Sequence, residues 1–460
     1  MPGVRGEAPV SGRGGVGERG PPQAHAARTR RRHRTSAETA RSDKARTATR
    51  PRPARKPRTA RNARPPTYPD RTPLPHDREA PVSPLPPQVI DWSPDGDEVR
   101  SARWVSESGA VAPQRVVAAD SRIGVAAAYR HICEGTALLW TGDYPSARQL
   151  LTSLGKRAEP RRRPKAASLT EAFRLQRREQ ARRTRILSLL LVPYEDGWTI
   201  PLKRAPEVAE ACRQVYGEFG DGPAAGSLRE LLGVVGAYEW RRKGVEIPVL
   251  GGDRIHPHYG VFSPVRGEYL DLAARARLEA PRVAFDIGTG TGVLSVLLAR
   301  RGAGKVVATD LDPRAVACAR ENVERLGAAD VVEVREADLF PEGRADLIVC
   351  NPPWLPARAR TRLDRAVYDP DSGFLRGFLQ GLPDHLAPGG EAWLLISDLA
   401  ERLGLRGESE LADAIAAAGL QVTGRETTAP RHGRANDRDD PLYEARSKEI
   451  TSLWRLAVVG

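Results

Sequence analysis

One segment limits what this chain can fold into more than any other. It is an apolar strand, a turn holding three glycines and a helix, run together at residues 283–301. Val283-Ala-Phe-Asp-Ile287 is β-branched and apolar. It leads through Gly288-Thr289-Gly290-Thr-Gly292 into a helical pattern over Val293–Arg301. Glycines between a strand and a helix let backbone approach a ligand closely, where the helix start presents free N–H groups. A dinucleotide fingerprint needs G-x-G-x-x-G, but counting from Gly288 its last position is Val293. The observed G-x-G-x-G, preceded by Asp286, argues against a nicotinamide cofactor and for another nucleoside ligand.

The following units keep the same order. A strand over Lys305–Thr309 ends at Asp310 and Leu311, and Pro313 opens a helix to about Leu326. A carboxylate at the tip of the second strand suits the two hydroxyls of a ribose. A third strand, Val331–Arg335, leads to Asp338-Leu339, where a carboxylate can accept from an adenine amino group. One such Asp alone reads as a helix cap. Three strand-end features in sequence read as a nucleoside site.

A fourth strand, Asp346–Cys350, ends in Asn351-Pro352-Pro353-Trp354. Asn351 offers a side-chain carbonyl. Pro352 offers a backbone carbonyl stiffened by the proline after it. Two fixed acceptors side by side suit a planar NH₂ group, each taking one N–H. Trp354 supplies a flat apolar surface for a planar substrate.

Together these residues resemble the class I S-adenosylmethionine-dependent methyltransferases of the small group. That group includes ribosomal RNA guanine-N2, adenine-N6 and release-factor glutamine-N5 enzymes. The resemblance covers residues 255–460 and implies a seven-stranded Rossmann-like sheet with S-adenosylmethionine as cofactor. It implies Gly288, Gly290 and Gly292 under the methionine part and Asp310 at the ribose, with Asp286, Thr289 and Leu311 also among the cofactor-binding residues. Asp338 and Leu339 would meet the adenine. Asn351, Pro352, Pro353 and Trp354 would form the catalytic motif. The segment Gly260–Tyr269 is similar to the one before the cofactor site of the RNA enzymes, where Phe262 and Ser263 would close over the cofactor. The motif ends in Trp where the glutamine enzymes usually carry Tyr and the guanine-N2 enzymes Phe, whereas Asp-Ile-Gly-Thr-Gly-Thr-Gly is closer to the glutamine enzymes. The expected reaction is methyl transfer to a planar amino nitrogen, first of a nucleic-acid base, with RNA as partner. The alternatives are a protein glutamine amide, and a non-catalytic RNA-binding protein on the same fold. Residues 420–428 and 450–459 would supply the last two strands, the final one antiparallel. The charged run Arg431–Asp440 between them reads as a solvated connection.

The net charge of +14 invites a nucleic-acid reading of its own, so its location matters. Residues 1–80 carry 20 Lys+Arg against 7 Asp+Glu, which leaves the remainder nearly neutral. With 12 prolines and no Ile, Phe or Trp in that stretch, residues 1–110 are expected to form a disordered basic tail, order beginning between 100 and 120. A phosphate-binding arm and the Arg bias of a GC-rich genome, 64 Arg to 8 Lys, both account for it. Residues 115–250 read as an accessory α/β domain that positions substrate. Its expected helices are Tyr144–Arg157 capped by Asp143, one opened by the Ser168–Glu171 capping box to about Arg185, and one opened by Ser227–Glu230 to about Arg242. Ile186–Val192 and Trp198–Leu202 are expected as paired strands. Residues 156–185 hold 12 Lys/Arg against 3 Glu, consistent with either an RNA-contacting helix or a solvated face. No apolar run reaches the roughly 18 residues of a membrane span, and Cys133, Cys212, Cys318 and Cys350 lack metal or disulfide spacing. A cytoplasmic protein without metal is the expectation.

Overall fold

The computed structural model describes residues 88–93, 98–160 and 165–460. Most of the predicted basic tail, residues 1–87, lies outside the described residues, as do Arg161–Arg163 of the basic segment. Among the described residues of 79–460 the chain builds two large sheets in succession, with a two-stranded one between them.

The first sheet has six strands: β1 (Val89–Trp92), β2 (Arg100–Val105), β3 (Arg115–Ala119), β4 (Thr136–Trp140), β5 (Leu190–Tyr194) and β6 (Ala224–Ser227), in the order β1-β2-β6-β5-β4-β3. Order therefore begins earlier than the expected 100–120. β1 pairs antiparallel with β2, and Ile90, Ala102 and Val105 are buried, apolar contacts that the charged residues between the strands mask in the sequence.

Two further expectations in this region are corrected. The basic helix runs to Ser188, so the strand predicted at Ile186–Val192 starts later, at Leu190. Ile186 and Leu187 are apolar because they face the core from the helix end, a case where a short apolar run does not reveal its period. Trp198–Leu202 is no strand. Asp196–Trp198 forms a tight turn closed by the single bridge Glu195–Thr199. Trp198 is buried among Tyr194, Tyr216 and Phe219, at centroid distances of 5.6, 5.1 and 4.9 Å, and its indole N–H donates to Gly217. Aromatic packing outweighs the β-propensity of the segment.

Two short strands, β7 (Val245–Glu246) and β8 (Arg254–Ile255), lead into the second sheet. That sheet contains β9 (Val283–Ile287), β10 (Lys305–Asp310), β11 (Val332–Glu336), β12 (Ala345–Cys350), β13 (Leu386–Ser397), β14 (Leu420–Thr428) and β15 (Thr451–Val458). Their order is β11-β10-β9-β12-β13-β15-β14, with β15 antiparallel to both neighbours. This is a seven-stranded Rossmann-like sheet, as the resemblance implies, preceded by a smaller sheet. Successive side chains of the central strands alternate between two cores, as a sheet covered on both faces requires. Ala284, Leu347 and Val349 pack with Leu294, Leu297 and Val316. Phe285, Ile287, Ile348 and Cys350 pack with Phe378, Leu379 and Leu382 on the other side.

The basic helix Leu169–Ser188 reaches from the first sheet to the second. Ser168 caps it by accepting from the Glu171 N–H at 3.1 Å. Phe173 is buried with Leu355, Leu399 and Leu403, and Thr170 donates to the Leu403 carbonyl at 2.7 Å. The Arg177 guanidinium lies 3.9 Å from the Tyr368 ring centroid. The helix is therefore seated on residues 355–368, the chain that immediately follows Trp354. Phe173→Ala should cost about 3 kcal/mol of stability and raise amide exchange across residues 355–368 while leaving β9–β12 protected. Unchanged exchange in that stretch would mean the helix does not hold it.

Candidate functional site

Sheet register assembles the site. Ile287 pairs with Thr309 on one side and with Cys350 on the other, and Asp310 pairs with Glu336. The residues just beyond these pairs therefore form one row along the carboxyl ends of the strands: Asp338, Asp310, the turn from Gly288, and Asn351. The strand order changes direction at β9 and β12, the place where open α/β sheets form a ligand crevice.

The turn is held from beneath by Asp286. This carboxylate is buried, and its Oδ2 accepts from Thr289 Oγ1 at 2.7 Å and Ser295 Oγ at 2.5 Å. Its Oδ1 is buried without a partner among the described residues. Burial pushes the Asp286 carboxyl up, the two hydroxyls partly counter it, nearby Asp310 adds to it, and the net position is about 6. Gly288, Gly290 and Gly292 have φ of +71°, +57° and +79°. A Cβ on Gly292 would sit 3.3 Å from the Ala319 backbone, whereas one on Gly290 would meet nothing within 4 Å. Gly292 is thus glycine for packing as well as for its φ, and Gly290 borders open space.

Asp310 accepts from Gly290 N–H at 3.0 Å and from Asp312 N–H at 3.0 Å. Burial raises its pKa, and those backbone bonds oppose the rise. Each of its oxygens keeps a second lone pair for an outside donor. Asp338 is exposed, and so is the apolar Leu311 beside Asp310. Leu339 is half-buried at φ +64°, and its carbonyl accepts from Thr309 Oγ1 at 2.5 Å. Phe262 and Ser263 are half-buried in a loop anchored by Val261, which packs on Ala315 and Cys318 of the helix after Asp310.

Asn351 and Trp354 are half-buried and Pro352 is buried. The Trp354 indole N–H donates to Asn351 Oδ1 at 3.0 Å and to the Leu395 carbonyl at 3.3 Å. One ring face looks onto the Arg266 guanidinium, 5.1 Å from the centroid, so a flat substrate has at most the other face. Sequence reading missed Arg266 and its support. Arg266 pairs at 2.9 Å with Glu449, which is wholly buried and also accepts from Ser397 Oγ at 2.7 Å. Burial would raise the Glu449 pKa, but His432, Arg266 and Ser397 outweigh it and hold it at about 2. Most of the Arg431–Asp440 run is exposed, as a solvated connection would be, but it is anchored at three points: His432 bonds Glu449, the Arg431 N–H donates to Glu268 at 2.7 Å, and Ala435 is buried. Its charged composition hid ion pairs made to distant parts of the chain.

Phe374 was also missed. Its ring lies so near Gly288 that an added Cβ would come within 3.2 Å. Asp369 places it by accepting from the Phe374 and Leu375 N–H groups at 2.9 and 3.0 Å. No local pattern marks either residue.

The family model for ribosomal protein L11 methyltransferase matches residues 270–352. A protein of Methanocaldococcus jannaschii, whose description as a protein N5-glutamine methyltransferase is provisional, is 32% identical over 177 residues, covering 37% of this chain and 84% of that one. The chain belongs to the class I S-adenosylmethionine-dependent methyltransferases. The release factor glutamine methyltransferase of Cereibacter sphaeroides is 37% identical over 171 residues, 32% of this chain and 61% of that one. The ribosomal protein L11 methyltransferase of Pelotomaculum thermopropionicum is 54% identical over 69 residues, 15% of this chain and 22% of that one. The match thus spans less than two thirds of the length of these last two relatives.

The residues of this methyltransferase fit its cofactor. Asp286 Oδ1 is a buried acceptor without a donor among the described residues, so the ammonium of a methionine moiety would suit it, and the outward lone pairs of Asp310 would suit ribose hydroxyls. Because Asp286 titrates near pH 6, it takes up a proton as pH falls from 7 to 5 and loses the charge that holds a cation. S-adenosylmethionine should bind about tenfold more weakly at pH 5 than at pH 7, with the change removed in Asp286→Asn. Calorimetry across that range would reveal a flat profile in the wild type if the carboxylate plays no part.

Proposed function

We propose that the chain transfers a methyl group to a planar amide or amino nitrogen, and that this nitrogen belongs to a protein glutamine side chain. The observation that carries the reading is the Ile287–Cys350 register, which brings the Asn351-Pro352 segment next to the glycine turn. Support for glutamine comes from the relatives in Cereibacter and Methanocaldococcus.

S-adenosylmethionine supplies a methyl already activated on a sulfonium. The chain's own residues then have a positioning task. Asn351 Oδ1 and the Pro352 carbonyl accept the two N–H groups of the substrate. Both acceptors favour a pyramidal nitrogen, whose lone pair is otherwise delocalised, and offset the positive charge that develops on it. Pro353 restrains Pro352 to an extended backbone and so fixes its carbonyl. No general base is needed before transfer, because the acidified N–H loses its proton to solvent afterwards.

Asn351→Ala should lower turnover by about a hundredfold or more while S-adenosylmethionine affinity changes little. Comparable loss of both would sink the role. The substrate class is read by following labelled methyl groups into a lysate freed of its own methyltransferases, with Asn351→Ala as blank. Glutamine predicts label that survives RNase and is removed by protease. RNase-sensitive label overturns the protein reading.

One observation favours RNA as the second reading. Arg174, Arg178 and Arg185 are exposed and, at spacings of four and seven, share one side of the basic helix. The helix seats beside the motif loop, whose Arg358 and Arg360 are also exposed. A phosphate backbone laid there would lead to the site. If RNA is bound, replacing the three helix arginines by glutamine should reduce the slope of log affinity against log salt by about two. An unchanged slope would make this side of the helix a solvated face.

A further inference from the structure

Asn351 can serve as an acceptor only while its amide faces one way. Turned by half a revolution about its last bond, it presents NH₂ where the oxygen stood, and a donor there repels a substrate N–H. Nothing in the Asn-Pro-Pro part of the motif decides between the two orientations.

The decision comes from the fourth residue. An indole N–H donates and cannot accept. The Trp354 Nε1–H lies 3.0 Å from Asn351 Oδ1 and 3.3 Å from the Leu395 carbonyl. A turned amide would set two donors face to face at that distance. We propose that Trp354 is a positioning residue that locks Asn351 with its oxygen as the acceptor. The inference rests on the methyl-transfer reading. The indole occupies one lone pair of Oδ1 and leaves the other for a single substrate N–H, matching a site in which the Pro352 carbonyl takes the second.

The ring is held so that the lock keeps its aim. Its N–H is shared with β13, the strand next to the one carrying Asn351. One face is covered by Arg266, which buried Glu449 holds through an ion pair. The Trp354 carbonyl accepts from Arg406 at 3.2 Å, and Arg406 is itself buried and paired with Glu401. Phe at this position has no donor. A Tyr hydroxyl can donate or accept, so it does not impose one amide orientation.

The test separates the N–H from the shape of the ring. Benzothienylalanine, which carries sulfur in place of the indole N–H, is incorporated at position 354. Melting temperature and S-adenosylmethionine affinity should match the wild type, while turnover falls about tenfold to a hundredfold. Trp354→Phe should lower turnover in the same way. Unchanged turnover with benzothienylalanine, where Asn351→Ala is inactive, overturns the proposal and leaves the methyl-transfer reading standing. A readout independent of turnover is the ¹⁵N-indole resonance of Trp354, identified by its loss in Trp354→Phe. It should shift and exchange faster with water in Asn351→Ala. A resonance indifferent to Asn351 overturns the proposal whatever the turnover. Absence of methyl transfer by the wild type on any lysate component overturns the reading itself, and the resonance tells the two failures apart.

Discussion

The parallel pairing of β9 with β12 is the constraint on which the rest of the site depends. These strands are far apart in sequence, yet the match of Ile287 with Cys350 sets the glycine turn beside the Asn351-Pro352 segment. The pairing is held by alternation: Phe285, Ile287, Ile348 and Cys350 face one core, and Ala284, Leu347 and Val349 the other. A slip of one residue would exchange the two sets and carry Asn351 away from the turn.

Charges buried behind the row serve the same end. Asp286 accepts from Thr289 and Ser295 at the base of the glycine turn. Glu449 draws Arg266, Ser397 and His432 together behind Trp354. A buried carboxylate is costly unless its hydrogen-bonding capacity is met. Glu449 meets that demand within the protein and is held near 2, whereas Asp286 keeps one oxygen unmet and is pushed to about 6. The first arrangement is suited to structure and the second to receiving a ligand.

The accessory sheet enters through its basic helix. Phe173 and Arg177 fasten that helix to the chain after Trp354, so its exposed arginines lie close to the loop that follows the motif. Further contacts bind the same two regions. Glu321 of the helix after Asp310 pairs with Arg241 at 2.5 Å, and Arg314 pairs with Glu107 at 2.6 Å. Among the described residues no group of His, Cys, Asp and Glu could hold a metal ion, and no helix is long and apolar enough to cross a membrane.

Much of the site is legible in the amino-acid sequence, because its parts are short and local. Val283–Ile287 is the predicted strand to the residue, the glycines have the positive φ that their residue type permits, and Leu420–Thr428 and Thr451–Val458 close the sheet where expected. Local chemistry determines such features: alternation, a proline after a strand, a cap ahead of a helix. Other features are invisible at that range. Trp198 leaves its predicted strand for an aromatic cluster, the Arg431–Asp440 run docks on Glu449, and the Trp354 ring is held by the Leu395 carbonyl and Arg266. Each depends on partners brought near only by the folded chain. The sequence by itself determined the βα framework and the residues along its crevice. Only the tertiary structure decided how those residues face, because a hydrogen bond or an ion pair acts over a few ångströms and most of the groups that form it here lie far apart along the chain.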